Sequence, residues 1–231
     1  MFASLLHFYK RQCLNTPMIM MSPEEGRKTL DIQATVLRQP DLVPKILDLH
    51  ALTGCDTVPA SYGVGKPTAL KAAANHSFSK RGHTHSTVEE LLPESTNFMV
   101  SGYGSKLCRS MTKRRQRMWS LKTGNKPSWA PKLKTLPPTT EAFLTNIQRA
   151  HFQVTHWYSA LEIGPPDFDP LEHGFEADQT NKALNPRPLP EAVNPAPEFV
   201  LKLILSILQS GTLWLCKTPN AMYDVLCLHG Q

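Results

Sequence analysis

The spacing of hydrophobic positions changes along this chain, and the changes mark its elements. ASLLHFY at 3–9 is a near-continuous apolar run and predicts a buried strand. PMIMM at 17–21, between Pro17 and Pro23, predicts a second strand. LDIQATVL at 30–37 fits strand or helix. PDLVPKILDLHAL at 40–52 places apolar residues at 42, 43, 46, 47, 49 and 52, the spacing of a helix with one buried face. Pro44 falls in its first turn, where proline is tolerated. Residues 66–75 predict a further helix with Pro67 near its start, and 87–101 and 106–123 predict two more. The clearest helix lies within 136–162. Thr139 or Thr140 caps it, and Phe143, Ile147, Ala150, Val154, Trp157 and Leu161 share one face. Residues 163–198 are proline-rich without a period and predict an irregular, partly extended segment.

Composition adds a partner class and a compartment. A chain of 231 residues with 41% hydrophobic content supports one core, or about one and a half domains. The net charge of +6 is unevenly spread. Residues 106–134 hold ten Lys or Arg and no acid, whereas 160–200 hold eight acids against Lys182 and Arg187. That contrast suggests a polyanion-facing surface beside an acidic tail. Within the basic stretch, Lys113, Arg114, Arg115 and Arg117 can contact phosphates, with Trp119 stacking on a base or packing below. The same cluster also suits a solvated helix face or a nuclear-import signal. Cys13, Cys55, Cys108, Cys216 and Cys227 form no C-x-x-C pair, so neither a zinc cluster nor a disulfide framework is readable, and a reducing compartment is expected. The N-terminal apolar stretch lacks the basic region and cleavage site of a signal peptide. FVLKLILSILQSGTLWLC at 199–216 is interrupted by Lys202, Gln209 and Ser210 and reads as an amphipathic helix docking on the core rather than a membrane span. A nuclear or cytoplasmic, non-secreted protein is expected. No Ser-His-Asp, P-loop or Rossmann pattern is present, and no small-molecule substrate is evident.

The most informative stretch is HALTGCDTVPASYGVGKPTALKAAANH, residues 50–76. An apolar helix ends in Gly54-Cys55-Asp56, and a short loop leads to Gly63-Val64-Gly65-Lys66 and a second helix. Two glycines let the backbone adopt positive φ and approach another chain closely. The helix start that follows offers free N–H groups and the positive end of its dipole, with Lys66 and Lys71 adding charge. Such a hairpin can hold a phosphodiester backbone without reading bases. A lone G-x-G is more often loop punctuation; the whole order of features is more specific.

That order resembles the flap-endonuclease and xeroderma-pigmentosum-G type of 5′-nuclease, whose core is PIN-like. Leu52-Thr53-Gly54-Cys55-Asp56 matches the acid at the end of the apolar helix, and Gly63 through Lys71 matches the helix–two-turn–helix. The resemblance implies that Asp56 is a divalent-metal ligand for Mg2+ or Mn2+. It implies that Gly63, Val64 and Gly65 bind K+ through carbonyls and contact duplex DNA. FYKRQCLNTPMIMMSPEEGRKTLDI, HALTGCDTVPASYGVGKPTALK, APKLKTLPPTTEAF and LPEAVNPAPEFVLKLI further resemble animal transposon-associated proteins that carry this PIN-like domain, often followed by a cysteine-rich CXC module. The similarity spans roughly residues 4–204.

Two departures shape the functional expectation. In the family an acidic D-x-D-type pair precedes the strand matching SLLHFY; here Met1-Phe2-Ala3-Ser4 stands in that place. After Ile204 the relatives turn cysteine-rich, and this chain has only Cys216 and Cys227 there. The expectation is a fragment of a longer ancestral protein, cut at both ends. Two-metal cleavage needs several carboxylates converging on cations roughly 3.5–4 Å apart. Asp31 and Asp48 are the nearest other acids and read as an exposed turn acid and a solvated helix face; Asp56 itself reads equally as a turn residue. His50 reads as a packed histidine, His83-Thr84-His85 as a mobile polar loop, and His151 and His156 as lying on different helix faces.

The expected architecture is α/β and mainly helical. A truncated PIN-like domain at 1–104 has few N-terminal strands and its helix–two-turn–helix at 50–76. A basic helical segment at 105–134 follows, then a long helix, a Pro-rich acidic segment and an apolar helix at 135–231. The leading functional expectation is a catalytically inactive, nucleic-acid-binding remnant of a mobile-element protein that binds duplex DNA weakly and without sequence preference. A metal-dependent, structure-specific nuclease completed by a partner chain is one alternative. An interaction or pseudogene-like product without selected activity is the other.

Overall fold

The computed structural model describes residues 2–21, 29–105, 108–123, 132–178, 180 and 183–189. Its first element corrects the first expectation. Residues 3–9 form no strand; they lie in helix α1, Phe2–Arg11, whose buried residues Leu6 and Tyr9 are three apart. A solid apolar run carries no period of its own, so the two readings differ only in what the chain packs against. Lys10 and Arg11 occupy the last turn, where cations complement the helix dipole. The segment that the family resemblance matches to a strand is therefore helical.

Strand β1, Ile19–Met21, pairs antiparallel with β2, Thr29–Asp31, in the register Ile19 to Asp31. Helix α2, Ile32–Arg38, follows without a gap, because Asp31 caps it by accepting the Ala34 N–H at 2.9 Å. The ambiguous stretch 30–37 is thus strand end and helix in succession. Asp31 is a capping residue. Leu6, Tyr9, Ile32, Val36 and Val43 form a small core under this region.

The larger core lies between five helices. Pro44 sits in a 3-10 turn, Val43–Lys45, and α3, Ile46–Leu52, continues from it. α4 is Lys66–Ala73 and α5 is Val88–Gly102. α6 is Met111–Thr123 and α7 is Thr140–Tyr158. A reciprocal capping box between Thr87 and Glu90 starts α5, and Thr139 caps α7 through the Ala142 N–H. Phe143, Ile147, Ala150 and Val154 are buried on one stripe of α7, as their spacing predicts, and pack with Leu52, Leu91, Phe98 and Met99. Leu161 does not continue that stripe. The helix ends at Tyr158 and Leu161 is exposed, with Gly164, Pro165 and Pro166 following.

The described residues between 163 and 189 carry more order than their composition suggests. β3, Phe175–Ala177, pairs antiparallel with β4, Leu184–Pro186. Phe175 is buried against Phe152. Gly174 has φ +82°, and a Cβ there would lie 3.1–3.2 Å from Thr145 and Arg149, so the ribbon sits directly on α7. Among the described residues no helix is long and apolar enough to cross a membrane. The 199–216 segment lies outside them.

Candidate nucleic-acid interface

The 50–76 stretch folds as two helices, α3 and α4, joined by a loop at 53–65. Gly54 has φ +101°, and a Cβ on it would fall 2.6 Å from the Ala60 Cα, so the loop must double back tightly there. The Cys55 N–H donates to the Val58 carbonyl at 2.9 Å, and Val58 is buried. Asp56 is exposed in this small turn.

Lys66 has a different task from the one its position suggests. Its Nζ donates to the His50 carbonyl at 2.7 Å, to Thr53 Oγ1 at 2.8 Å and to the Gly54 carbonyl. These acceptors lie at the C-terminal end of α3, where carbonyls lack helical partners. The first residue of α4 thus clasps the last turn of α3. Partial burial lowers the Lys66 pKa, but three acceptors hold its charge in place. His50 stacks on Trp157, rings 5.4 Å apart, in keeping with a packed histidine; burial chiefly, then Lys66, lowers its pKa, while Asp56 opposes.

The glycine turn divides its labour. Gly63 has φ +82° and is exposed. Val64 is buried and plugs against α5, so closely that a Cβ on Gly102 would meet it at 2.8 Å. Gly65 is extended and occupies the cap position of α4. Lys71, in the last turn of α4, is exposed.

Tyr103 joins this turn to the basic helix. A Cβ on Gly63 would lie 4.0 Å from the Tyr103 ring, and the Tyr103 carbonyl accepts a hydrogen bond from Arg114. Burial raises the Tyr103 phenol's pKa, while Ser61 and Arg115 beside it act in the opposite direction. Arg115 donates to the Pro137 carbonyl. Lys122 donates to the Thr135 carbonyl at 2.8 Å and sits 5.8 Å from the Tyr62 ring centre. Arg114 and Arg115 therefore hold the basic helix against its neighbours. Lys113 and Arg117, four apart, are exposed, and so is Trp119.

Sequence reasoning missed a buried polar cluster. Asp48 is 1% exposed rather than solvated, and it faces Arg81, 2% exposed, with Nε 3.4 Å from Oδ1. The Tyr158 hydroxyl donates to Asp48 Oδ2 at 2.9 Å, and Arg81 also donates to Ser95. His151 is buried and its Nδ1 accepts the Gly82 N–H at 3.3 Å. One signal was available: α3 reads ILDLHAL, with Leu47, Leu49, Ala51 and Leu52 all buried, so a seven-residue helix had little solvent-facing surface left for an acid. His83 and His85 are exposed, in keeping with a polar loop.

The cluster carries opposing pH dependences. Burial raises the Asp48 pKa to about 7, against the pull of Arg81 and Tyr158. Its contribution to stability is full below the unfolded carboxylate pKa and is lost as pH rises through about 7. Burial lowers the His151 pKa to about 4, with Arg81 reinforcing it, so its contribution is full above about 6.5 and is lost as pH falls toward 4. Over pH 7 to 5 each amounts to about 2 kcal/mol, with opposite sign. Asp48→Asn removes one side only. Urea unfolding at the two pH values should show this variant losing about 2 kcal/mol more on acidification than the wild type. Equal losses would refute the assignment.

Among the described residues, no group of three or more His, Cys, Asp or Glu forms that could hold a metal ion. No family model, curated protein or solved structure matches the chain. The described residues define an α/β protein, about half helical, with two small antiparallel ribbons and a cation-bearing helix beside a glycine turn.

Proposed function

We propose that this chain is a catalytically inactive, PIN-like nucleic-acid-binding remnant of a mobile-element protein, holding duplex DNA through its phosphates without reading sequence. The observation that supports it is the meeting of the glycine turn and the basic helix at Tyr103, since each of these segments by itself suits a phosphate backbone. Lys71, on the helix that follows the glycine turn, and Lys113 and Arg117, on the basic helix, are exposed cations and supply the phosphate contacts. Lys66, Arg114 and Arg115 also hold the surface together through backbone carbonyls. The positions of two acids support the inactive reading: Asp31 caps α2, and Asp48 is buried against Arg81. A divalent ion at Asp56 and K+ at the Gly63–Gly65 carbonyls belong to the same reading, as does a nuclear or cytoplasmic address.

Titration of a labelled duplex at two salt concentrations tests it. Non-specific binding of about 10⁻⁴–10⁻⁶ M at physiological salt is expected. Replacing Lys71, Lys113 and Arg117 with alanine should weaken binding and reduce the salt slope by roughly 0.9 for each phosphate no longer neutralised. Lys66→Met should act mainly on stability. Absence of binding at low salt, or binding indifferent to the triple replacement, would overturn the proposal.

A further inference from the structure

A cleft of about 380 Å³ opens between the 59–62 segment, α6, the 133–139 segment and α7. Arg115, Lys134 and Arg149 line it, and among the described residues no Asp or Glu does. Arg149 is 7% exposed, yet its buried Nε has no hydrogen-bond partner and no ion pair reaches it among the described residues. Asn146, one turn earlier on α7 and 6% exposed, also lines the cleft and leaves Oδ1 unpartnered. Thr139 and Ala142 bring the N-terminal end of the 19-residue α7 to the same wall.

Buried charges in proteins are paired, because an unpaired guanidinium away from water is costly. Here two further cations and the positive end of a helix surround one. No acid in the described lining neutralises them, so the arrangement favours an anion. A guanidinium fork matches a tetrahedral oxyanion. We propose that this cleft is an oxyanion site that takes a phosphate group between Arg149, Arg115 and Lys134. The phosphate comes from a free phosphate compound or from the end of a nucleic-acid strand. Only the second source rests on the DNA-binding reading.

The full chain is titrated with inorganic phosphate at constant ionic strength, chloride balancing, and followed by phosphorus NMR line width. Two duplexes of one sequence, with and without a 5′-phosphate, are then compared. Saturable phosphate binding is expected, weakened about tenfold by Arg149→Gln and by Lys134→Ala and unchanged by Arg38→Ala, an exposed cation in the last turn of α2. A preference for the phosphorylated duplex assigns the site to strand ends, and equal binding of the two assigns it to free phosphate compounds. Lys134 is exposed, so its replacement carries the test even if Arg149→Gln fails to fold. No saturable binding of phosphate together with no preference between the duplexes would overturn the proposal. So would phosphate binding that survives both cleft replacements. Binding of unphosphorylated duplex through Lys71, Lys113 and Arg117 is a separate readout, so failure of one reading leaves the other standing.

Discussion

Asp48→Ala is expected to destabilise the chain by about 3–5 kcal/mol, enough to unfold a marginal domain. The carboxylate is 3.4 Å from Arg81 in the interior and receives the Tyr158 hydroxyl. Removing it leaves a buried guanidinium whose Nε and Nη1 already lack hydrogen-bond partners, with the Ser95 hydroxyl as its remaining acceptor. Alanine also leaves a gap between α3 and α7. Arg81→Met alone strands the carboxyl, but burial already favours its neutral form, so this variant should cost less than Asp48→Ala. Asp48→Leu with Arg81→Met should restore most of the stability, because replacing both partners of a buried pair by apolar groups is often near neutral. Urea unfolding of Asp48→Leu, Arg81→Met and the double variant that combines them gives the coupling directly. A double variant as unstable as the sum of the singles would show that the pair is not the unit that matters.

The contrast between this pair and α7 shows what the sequence discloses. α7 was legible because Phe143, Ile147, Ala150 and Val154 recur at helical spacing against polar neighbours and follow a capping threonine. The hairpin's two helices and the positive φ of Gly63 were legible for similar local reasons. α1 was not, since a continuous apolar run suits either period. The roles of Lys66, Arg114 and Arg115 were hidden because a cation's formal charge is local, whereas its partner is set by tertiary contact. In this fold the partners are carbonyls at His50, Gly54, Tyr103 and Pro137. Asp48 meets Arg81 and Tyr158 from far along the chain, the latter across 110 positions, and no periodicity reports a pairing at that range.

Gly82→Ala is expected to be nearly as damaging, at about 2–5 kcal/mol, although it adds one methyl group. Gly82 has φ +82°, where a side chain is strained whatever the space around it. A Cβ there would also lie 2.2 Å from Tyr158 Cδ2 and 2.4 Å from Cε2. That ring cannot simply turn aside. It stacks on His7 with centroids 4.8 Å apart, its hydroxyl is held by Asp48, and the residue's carbonyl accepts from Arg11 at 2.9 Å. Displacing it would loosen the buried carboxylate and pull the Gly82 N–H from His151. Gly164 supplies the control, because it has φ +87° with nothing within 4 Å of a Cβ. Gly164→Ala should therefore show the backbone penalty alone, about 1–2 kcal/mol. In a Tyr158→Ala background the steric conflict is gone, and the further cost of Gly82→Ala should fall to that same value. Chemical denaturation of the four variants decides it. If Gly82→Ala costs no more than Gly164→Ala in the wild-type background, the contact with Tyr158 is not what reserves this position for glycine.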